Sequence, residues 1–398
     1  MDLVVRRARL TGGAEPVDLA VQDGRIALLA PSLDVRGRVE LDADGRLVTP
    51  SLVEPHIHLD AVLTVGQPRY NQSGSLFEGI EIWAERVRSL THEDVKHRAH
   101  QALRWMLVHG VTHVRTHVDV CDPSLTALRA LLEVKREVAP TVQVQIVAFP
   151  QQGIYSFPDG ERDVKFALKL AAEQGLLADL HCDETDDDQS RFLEVLCAET
   201  IRLGLQGRVT ASHTTAMHSY NNAYAYRLLR WIRHAGVHFI TNPLDNAVLQ
   251  GRFDAYPVRR GYTRIKELLA NGINVAVGHD SIMDPWYPLG VGDPLQAAFV
   301  LVHYGHMSGY EEIRELVRMV TTRAARCLGL EDHRIEPGAP ANFVVFDATS
   351  EFDAIRTLAP RRWVVAGGRV VARTDPSRSF VRLDGGEEEV TFHPHGHR

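Results

Sequence analysis

The chain has 398 residues, of which 44% are hydrophobic and 24% charged, and its net charge at pH 7 is -7. This composition is typical of a globular protein that is long enough for a large buried core and a smaller companion domain. The mildly acidic balance argues against a nucleic-acid-binding surface, so we expect a free small molecule as the partner.

The cysteines and the apolar segments bear on the compartment. The four cysteines form no Cys-x-x-Cys pair and no dense framework, which predicts reduced thiols. MDLVVRRARL lacks the apolar core and cleavage site of a signal peptide, and no apolar run reaches the roughly 18 residues of a membrane span. We therefore expect a cytoplasmic protein with no membrane partner.

Both ends of the chain are rich in short strand patterns. Asp23-Gly24 interrupts VDLAVQDGRIALLAP, and a Gly-Gly pair interrupts RRWVVAGGRVVA, as hairpin turns do. Two β-rich ends around one long middle predict a β-sandwich domain from residues 1–48 and 335–385, followed by a tail at 386–398. Two unrelated terminal caps are the alternative.

The middle, residues 49–334, alternates apolar strands with helical patterns. Seven stretches are typical of strands: LVEPHIHLD, GVTHVRTHVDV, TVQVQIVAFPQ, LLADLHCDE, RVTASHTTA, VHFITNPL and INVAVGHDS. Such alternation predicts an α/β fold, a TIM-like (β/α)8 barrel of parallel strands with helical crossovers. Only DVKFALKLAAEQG separates the third and fourth of these stretches, and seven strands are one fewer than a closed barrel has. We therefore expect the barrel's fourth strand–helix unit to be missing near residues 162–163, through a deletion or an omitted segment.

Two histidines at the end of the first of these strands are the first sign of chemistry. Side chains at i and i+2 of a strand share a face, so His56 and His58 point the same way. Two neutral imidazoles on one face can bind a divalent metal. By themselves they could equally be two core histidines with satisfied hydrogen bonds.

Ligand-type side chains recur where later strands end, and loops at that end of a barrel form the active site. These residues are Gln151, His181, Glu184, His213 and Asp280. The two histidines of the first strand, together with His181 and Asp280, could hold one Zn²⁺ or Fe²⁺ and leave a position for water. HExxH, Walker and PCxxC motifs are absent, which excludes several other hydrolase and deaminase folds.

Long motifs of the chain closely resemble bacterial cytosine deaminases of the amidohydrolase superfamily. They include PHIHLD, GQPRYNQSGSLFEGIEIWAERV, HVRTHVDV, QIVAFPQQG, HCDETDD, VTASHTTAMHSYNNAY, LQGRFDAYPVRRG and GHDSIMDPWYPLG. The resemblance implies a distorted (β/α)8 barrel with a β-sandwich domain. It also implies one divalent metal per chain, iron or zinc, bound by His56, His58, His181 and Asp280.

The resemblance also assigns roles to residues around the metal. Glu184 matches the family's proton shuttle, and His213 matches the residue that orients the attacking water. Gln151 matches the residue that binds the amide edge of the ring, and Leu76 and Trp286 match positions in the pocket wall. A pyrimidine base is then the substrate, and a homo-oligomer, with a hexamer as one candidate, is the expected assembly.

One motif departs from the family pattern. The usual Asp-Asp pair after Gly-His is here Asp280-Ser281. Serine removes bulk and negative charge from the wall near the 5-position, so a 5-methyl group would meet space. Because pocket discrimination over one such group is typically about 1–3 kcal/mol, we expect 5-methylcytosine, giving thymine, as the preferred substrate, with cytosine also deaminated. The alternative is that water fills the space and cytosine remains the best substrate.

Three competing interpretations stay open. The same fold could deaminate another cyclic amidine, such as isoguanine, isocytosine or creatinine. It could instead be a two-metal cyclic-amide hydrolase, although Glu184 and Gln151 would then have no obvious purpose. A non-catalytic scaffold is a third possibility, and the complete set of metal ligands argues against it.

Overall fold

The computed structural model describes residues 1–13, 15–152, 159–383 and 385–392. In chain order its strands are β1 (Leu3–Leu10), β2 (Val17–Gln22), β3 (Arg25–Ala30), β4 (Val39–Asp42), β5 (Leu47–Pro50), β6 (Leu52–Ile57), β7 (Val111–Asp119), β8 (Gln143–Phe149), β9 (Ala178–Cys182), β10 (Val209–His213), β11 (His238–Thr241), β12 (Val275–Val277), β13 (Phe343–Phe346), β14 (Arg361–Ala366), β15 (Arg369–Arg373), β16 (Ser379–Leu383) and β17 (Gly386–Val390). Its α-helices are α1 (Leu76–Val87), α2 (His92–Val108), α3 (Thr126–Val138), α4 (Gly160–Gln174), α5 (Phe192–Arg202), α6 (Asn222–Ala235), α7 (Pro243–Leu249), α8 (Ile265–Ala270), α9 (Pro294–Tyr304), α10 (Tyr310–Met319), α11 (Thr322–Cys327) and α12 (Glu351–Arg356).

The chain folds into two compact units. The first contains Met1–Ser51, Val108–Gly110 and the chain from Arg334 onward, and the second contains Leu52–Leu107 and Val111–His333. None of the described helices is long and apolar enough to cross a lipid bilayer.

The first unit is β-rich and is built from both ends of the chain. Its strands pair in the order β15-β14-β13-β5-β1-β2-β3, and β4 pairs with β1. Apolar side chains from both ends, including Val5, Leu19 and Phe343, form one buried core. The predicted turn lies between β2 and β3, where Asp23 and Gly24 both have positive φ, 51° and 73°. Such a pair of left-handed residues matches the twist of a two-residue hairpin.

The end of the chain differs from the tail predicted at 386–398. Strand β17 pairs antiparallel with β16, and Arg378 and Arg382 form cross-strand ion pairs with Glu389 and Glu387. Nearly all residues of this hairpin are exposed. Because it has no buried apolar face, hydrophobic patterning carried no signal for β17. Residues 393–398 of the predicted tail lie outside the described residues.

The second unit is an α/β barrel. All seven predicted strands are present, as the parallel sheets β6-β7-β8 and β12-β11-β10-β9. A parallel bridge between Ile57 and Asp280 joins β6 to the segment after β12. In the described part of the chain, α4 is the only regular element between β8 and β9. The fold class is therefore confirmed as a TIM-type α/β barrel with a β-rich companion, but with seven described barrel strands in place of eight.

Local sequence explains the barrel's elements. Every residue of β6 and β7 is buried, as expected for parallel strands covered on both faces. Helix α2 begins after Thr91, whose Oγ1 accepts a hydrogen bond from the backbone N–H of Asp94 at 3.2 Å. The chain leaves this helix through Gly110, which has a φ of 90°. These elements hold the strand ends in place.

Candidate active site

The backbone brings the first and last ligand-bearing segments of the barrel together. The Asp280 N–H donates to the His56 carbonyl at 2.9 Å, and the His58 N–H donates to the Asp280 carbonyl at 3.2 Å. Asp280 has a φ of 66°, a strained conformation for a residue with a side chain. This pairing sets the Asp280 carboxyl beside the two imidazoles of the HIH motif.

Three imidazoles and one carboxyl converge. Nε2 of His181 lies 3.2 Å from Nε2 of His56 and 3.2 Å from Nε2 of His58. Oδ1 of Asp280 lies 3.4 Å and 3.5 Å from the same two nitrogens. Two ligands held at 2.0–2.1 Å by one tetrahedral ion lie about 3.3–3.4 Å apart. The four side chains therefore fit a single divalent ion.

The electrostatics of these groups suit metal binding. Burial, together with the neighbouring imidazoles, holds the pKa values of His56, His58 and His181 well below the ordinary value. These imidazoles are thus neutral, which is the form that ligates metals. Burial and nearby carboxyls hold the pKa of Asp280 well above its ordinary value. A divalent cation at this position would relieve that repulsion.

Glu184 and His213 lie next to the ligand group. Nδ1 of His213 is 3.3 Å from Oε1 of Glu184, and its Nε2 is 3.8 Å from Oδ2 of Asp280. Burial raises the pKa of Glu184 to about 8 and lowers the pKa of His213 to about 3. Near neutral pH the site therefore holds a protonated carboxylic acid beside a neutral imidazole, as general acid catalysis requires.

One pocket collects nearly all of the predicted site residues. It is lined by His58, Leu76, Gln151, His181, Glu184, His213, Asp245, Leu249, Asp280, Ser281 and Trp286. Of the residues singled out from the sequence, His56 is the one outside this lining. It is fully buried, in contact with His181.

The apolar wall of the pocket depends on close packing at one glycine. A Cβ on Gly79 of α1 would lie 2.4 Å from Cδ1 of Trp286, so only glycine leaves room for the indole there. Oδ1 of Asp284 accepts a hydrogen bond from the backbone N–H of Trp286 at 2.9 Å and anchors the same loop. Leu76 and Leu249 pack in the same apolar cluster as Trp286. This wall offers a flat aromatic surface to a ring.

The polar wall of the pocket contains Ser281 and Asp245. The Ser281 hydroxyl donates to Oδ2 of Asp245 at 2.7 Å, so a carboxyl lies directly behind the serine. Burial and the neighbouring Asp284 hold the pKa of Asp245 well above its ordinary value. The wall thus keeps one carboxyl, that of Asp245, and the expectation that a 5-methyl group meets space at Ser281 stays a prediction.

Sequence reasoning missed residues that touch the site from the chain after β11. Asp245 and Asn246 belong to α7, and the Asn246 side-chain nitrogen lies 3.1 Å from Nδ1 of His213. The sequence could have indicated these residues, because the segment that follows a barrel strand at its carboxyl end faces the active site. His117 also lies close, since one of its nitrogens joins those of His56 and His58 within 4.8 Å.

Comparison with known proteins places the chain among metal-dependent hydrolases. A 5-methylcytosine deaminase structure from Klebsiella pneumoniae, liganded with 5-fluorocytosine, is 42% identical over 96% of this chain and 100% of that chain, with a TM-score of 0.91. N-isopropylammelide isopropyl amidohydrolase of Pseudomonas sp. (strain ADP) is 26% identical over 94% of this chain and 98% of its own length. Pterin deaminase of Rhizobium rhizogenes is 28% identical over 92% and 90%. The Amidohydrolase family profile matches residues 39–161 and 130–372, and the chain belongs to the amidohydrolase family.

Proposed function

We propose that the protein hydrolytically deaminates free cytosine-type bases, converting 5-methylcytosine to thymine and ammonia and also cytosine to uracil. The observation that carries the proposal is a buried Glu184 carboxyl facing a pocket beside four converging side chains that suit one metal ion. The raised pKa of Glu184, about 8, supports its role as an acid. The similarity to a 5-methylcytosine deaminase supports the same substrate class.

One divalent ion, Fe²⁺ or Zn²⁺, suits this set of nitrogen and oxygen ligands. When bound, the ion supplies an attacking water of lowered pKa. With the ion bound, Asp280 would be the group that takes a proton from the attacking water, and His213, which faces Asp280, would help to orient that water. Glu184 donates its proton to the ring nitrogen next to the amino-bearing carbon, which makes that carbon electrophilic. The water oxygen bonds to this carbon, the proton taken up by Asp280 passes to the amino nitrogen, and the C–N bond breaks to release ammonia. The remaining hydroxyl proton returns to Glu184 as the carbonyl forms, which restores the acid.

The pocket wall supports the choice of a 5-substituted base. Ser281 is shorter than an aspartate, and its hydroxyl already donates to Asp245. We propose that a 5-methyl group occupies the space in front of this pair. Gln151 is buried in the same pocket and is the proposed partner of the ring's amide edge.

A second candidate keeps the chemistry and changes the ring. Relatives over nine-tenths of the chain are named for an ammelide and for pterin, both amino-substituted nitrogen heterocycles. The same ligands and Glu184 could act on another cyclic amidine, such as isoguanine, isocytosine or creatinine.

Ammonia release distinguishes these candidates. We expect purified protein loaded with Zn²⁺ or Fe²⁺ to release ammonia from 5-methylcytosine and cytosine, with 5-methylcytosine at least as fast. Isoguanine, isocytosine and creatinine complete the panel, and Glu184→Gln is the matched control for contaminating deaminases. Turnover of 5-methylcytosine far slower than that of cytosine would contradict the proposed preference. Turnover restricted to another base would favour the second candidate.

A further inference from the structure

A buried hydrogen-bonded network joins Asp179, Ser212 and His56, which is one of the proposed metal ligands. None of the three lines the pocket. The Ser212 hydroxyl lies 3.0 Å from Nδ1 of His56 and donates to Oδ1 of Asp179 at 2.7 Å. Ser212 and His56 are fully buried, and Asp179 is 8% exposed. The pairing of β9 with β10 explains the arrangement. Ser212 of β10 pairs with His181 of β9, and Asp179 precedes His181 by two residues, so its side chain lies on the same face of β9.

Arg115, at the far end of this hydrogen-bonded network, fixes the charge on Asp179. Arg115 donates through Nη1 to Oδ2 of Asp179 at 2.8 Å, and this guanidinium is almost completely buried. A second Arg115 nitrogen donates to the Cys327 carbonyl. A carboxyl paired with a buried guanidinium is ionised and can only accept hydrogen bonds.

The ionised Asp179 determines the direction of both other hydrogen bonds in the network. Ser212 has one hydroxyl proton and two neighbouring acceptors to choose from, and the carboxylate is the stronger. The proton therefore points to Asp179, and the Ser212 oxygen accepts from His56. That arrangement requires a proton on Nδ1 of His56 and a free lone pair on Nε2.

We propose that Ser212 and Asp179 are positioning residues that hold His56 in the tautomer and orientation required for metal binding. The free Nε2 of His56 faces His181 and Asp280, where the other ligands converge. The ring of His117 packs against His56 with centroids 4.0 Å apart and restricts its rotation. Outer partners of this kind set both the orientation and the basicity of a ligating imidazole.

His181 differs from His56 in this respect, because its Nδ1 has no hydrogen-bond partner among the described residues. The fold therefore orients His56 before metal arrives and gives His181 no such partner. This inference rests on the metal site alone and does not depend on which base is the substrate.

The test measures zinc affinity without any substrate. In chelator competition, Ser212→Ala should weaken Zn²⁺ binding by about 10–100-fold, the usual effect of losing such a partner. Ser212→Thr keeps the hydroxyl and should restore most of the affinity. Thr200→Val is the matched control, because it removes another fully buried hydroxyl, one that bonds only the Leu196 carbonyl within α5. Equal affinities for Ser212→Ala, Thr200→Val and wild type would overturn the proposal.

A second measurement reads the tautomer directly in the wild-type protein. In ¹⁵N-histidine-labelled wild-type apoprotein, we expect the His56 ring to show a protonated Nδ1 and a bare Nε2, with its signal assigned by its loss in His56→Gln. A proton on Nε2 would overturn the proposal. Failure of the wild-type protein to bind Zn²⁺ at all would instead remove the metal site, and with it the proposed deaminase.

Discussion

Substrate preference can be changed at one position of the polar wall. Ser281→Asp would set a second carboxyl against Asp245, whose Oδ2 lies 2.7 Å from the serine oxygen. The two carboxyls would share one proton, and the added bulk would occupy the space proposed for the 5-methyl group. Burying one methyl is worth about 0.8 kcal/mol, and pockets discriminate over such a group by about 1–3 kcal/mol. The preference for 5-methylcytosine over cytosine should therefore fall by about 5–150-fold.

The assay is the ratio of kcat/KM for 5-methylcytosine to that for cytosine, measured at equal metal content. Ser281→Ala is the control, because it keeps the space and removes only the hydrogen bond to Asp245. We expect its ratio to stay near that of the wild type. A ratio that Ser281→Asp leaves unchanged would refute the placement of the 5-position at this wall.

Three further predictions concern the acid and the apolar wall. Glu184→Gln should lower kcat by about 10²–10⁴-fold, as expected for the loss of a general acid, while metal content stays constant. Because the neutral form of Glu184 donates the proton and its pKa is about 8, wild-type kcat should fall as pH rises through about 8, and undiminished kcat above that pH would contradict this role. Gly79→Ala would place a Cβ 2.4 Å from Cδ1 of Trp286 and displace the indole. Misplacement of that size can cost about 10²-fold in rate, so unchanged kcat/KM would show that the indole does not position the ring.

The alternation of side chains along a strand allowed much of the site to be predicted from the sequence. Because side chains two apart on a strand share a face, the HIH motif was enough to place His56 and His58 together. The parallel strand order then brought His181 and Asp280 to the same end. These inferences need only periodicity and the rule that barrel strands end at the active site.

Features that depend on tertiary packing were beyond the sequence. Asp245 lies on α7, and nothing in its local pattern shows that its carboxyl accepts from Ser281, because the two residues are 36 positions apart. The direction of the hydrogen bonds in the Asp179–Ser212–His56 network depends on Arg115, a fourth residue from another strand. Strand β17 was missed because it buries no apolar face.

Metal stoichiometry tests the central claim, that His56, His58, His181 and Asp280 share one ion, most directly. Metal content per chain should be measured across a titration of apoprotein with Zn²⁺ or Fe²⁺, together with ammonia release from 5-methylcytosine in the same samples. The account predicts that activity rises linearly and stops rising at one ion per chain. Full activity in metal-free protein, or a rise that continues to two ions per chain, would contradict it.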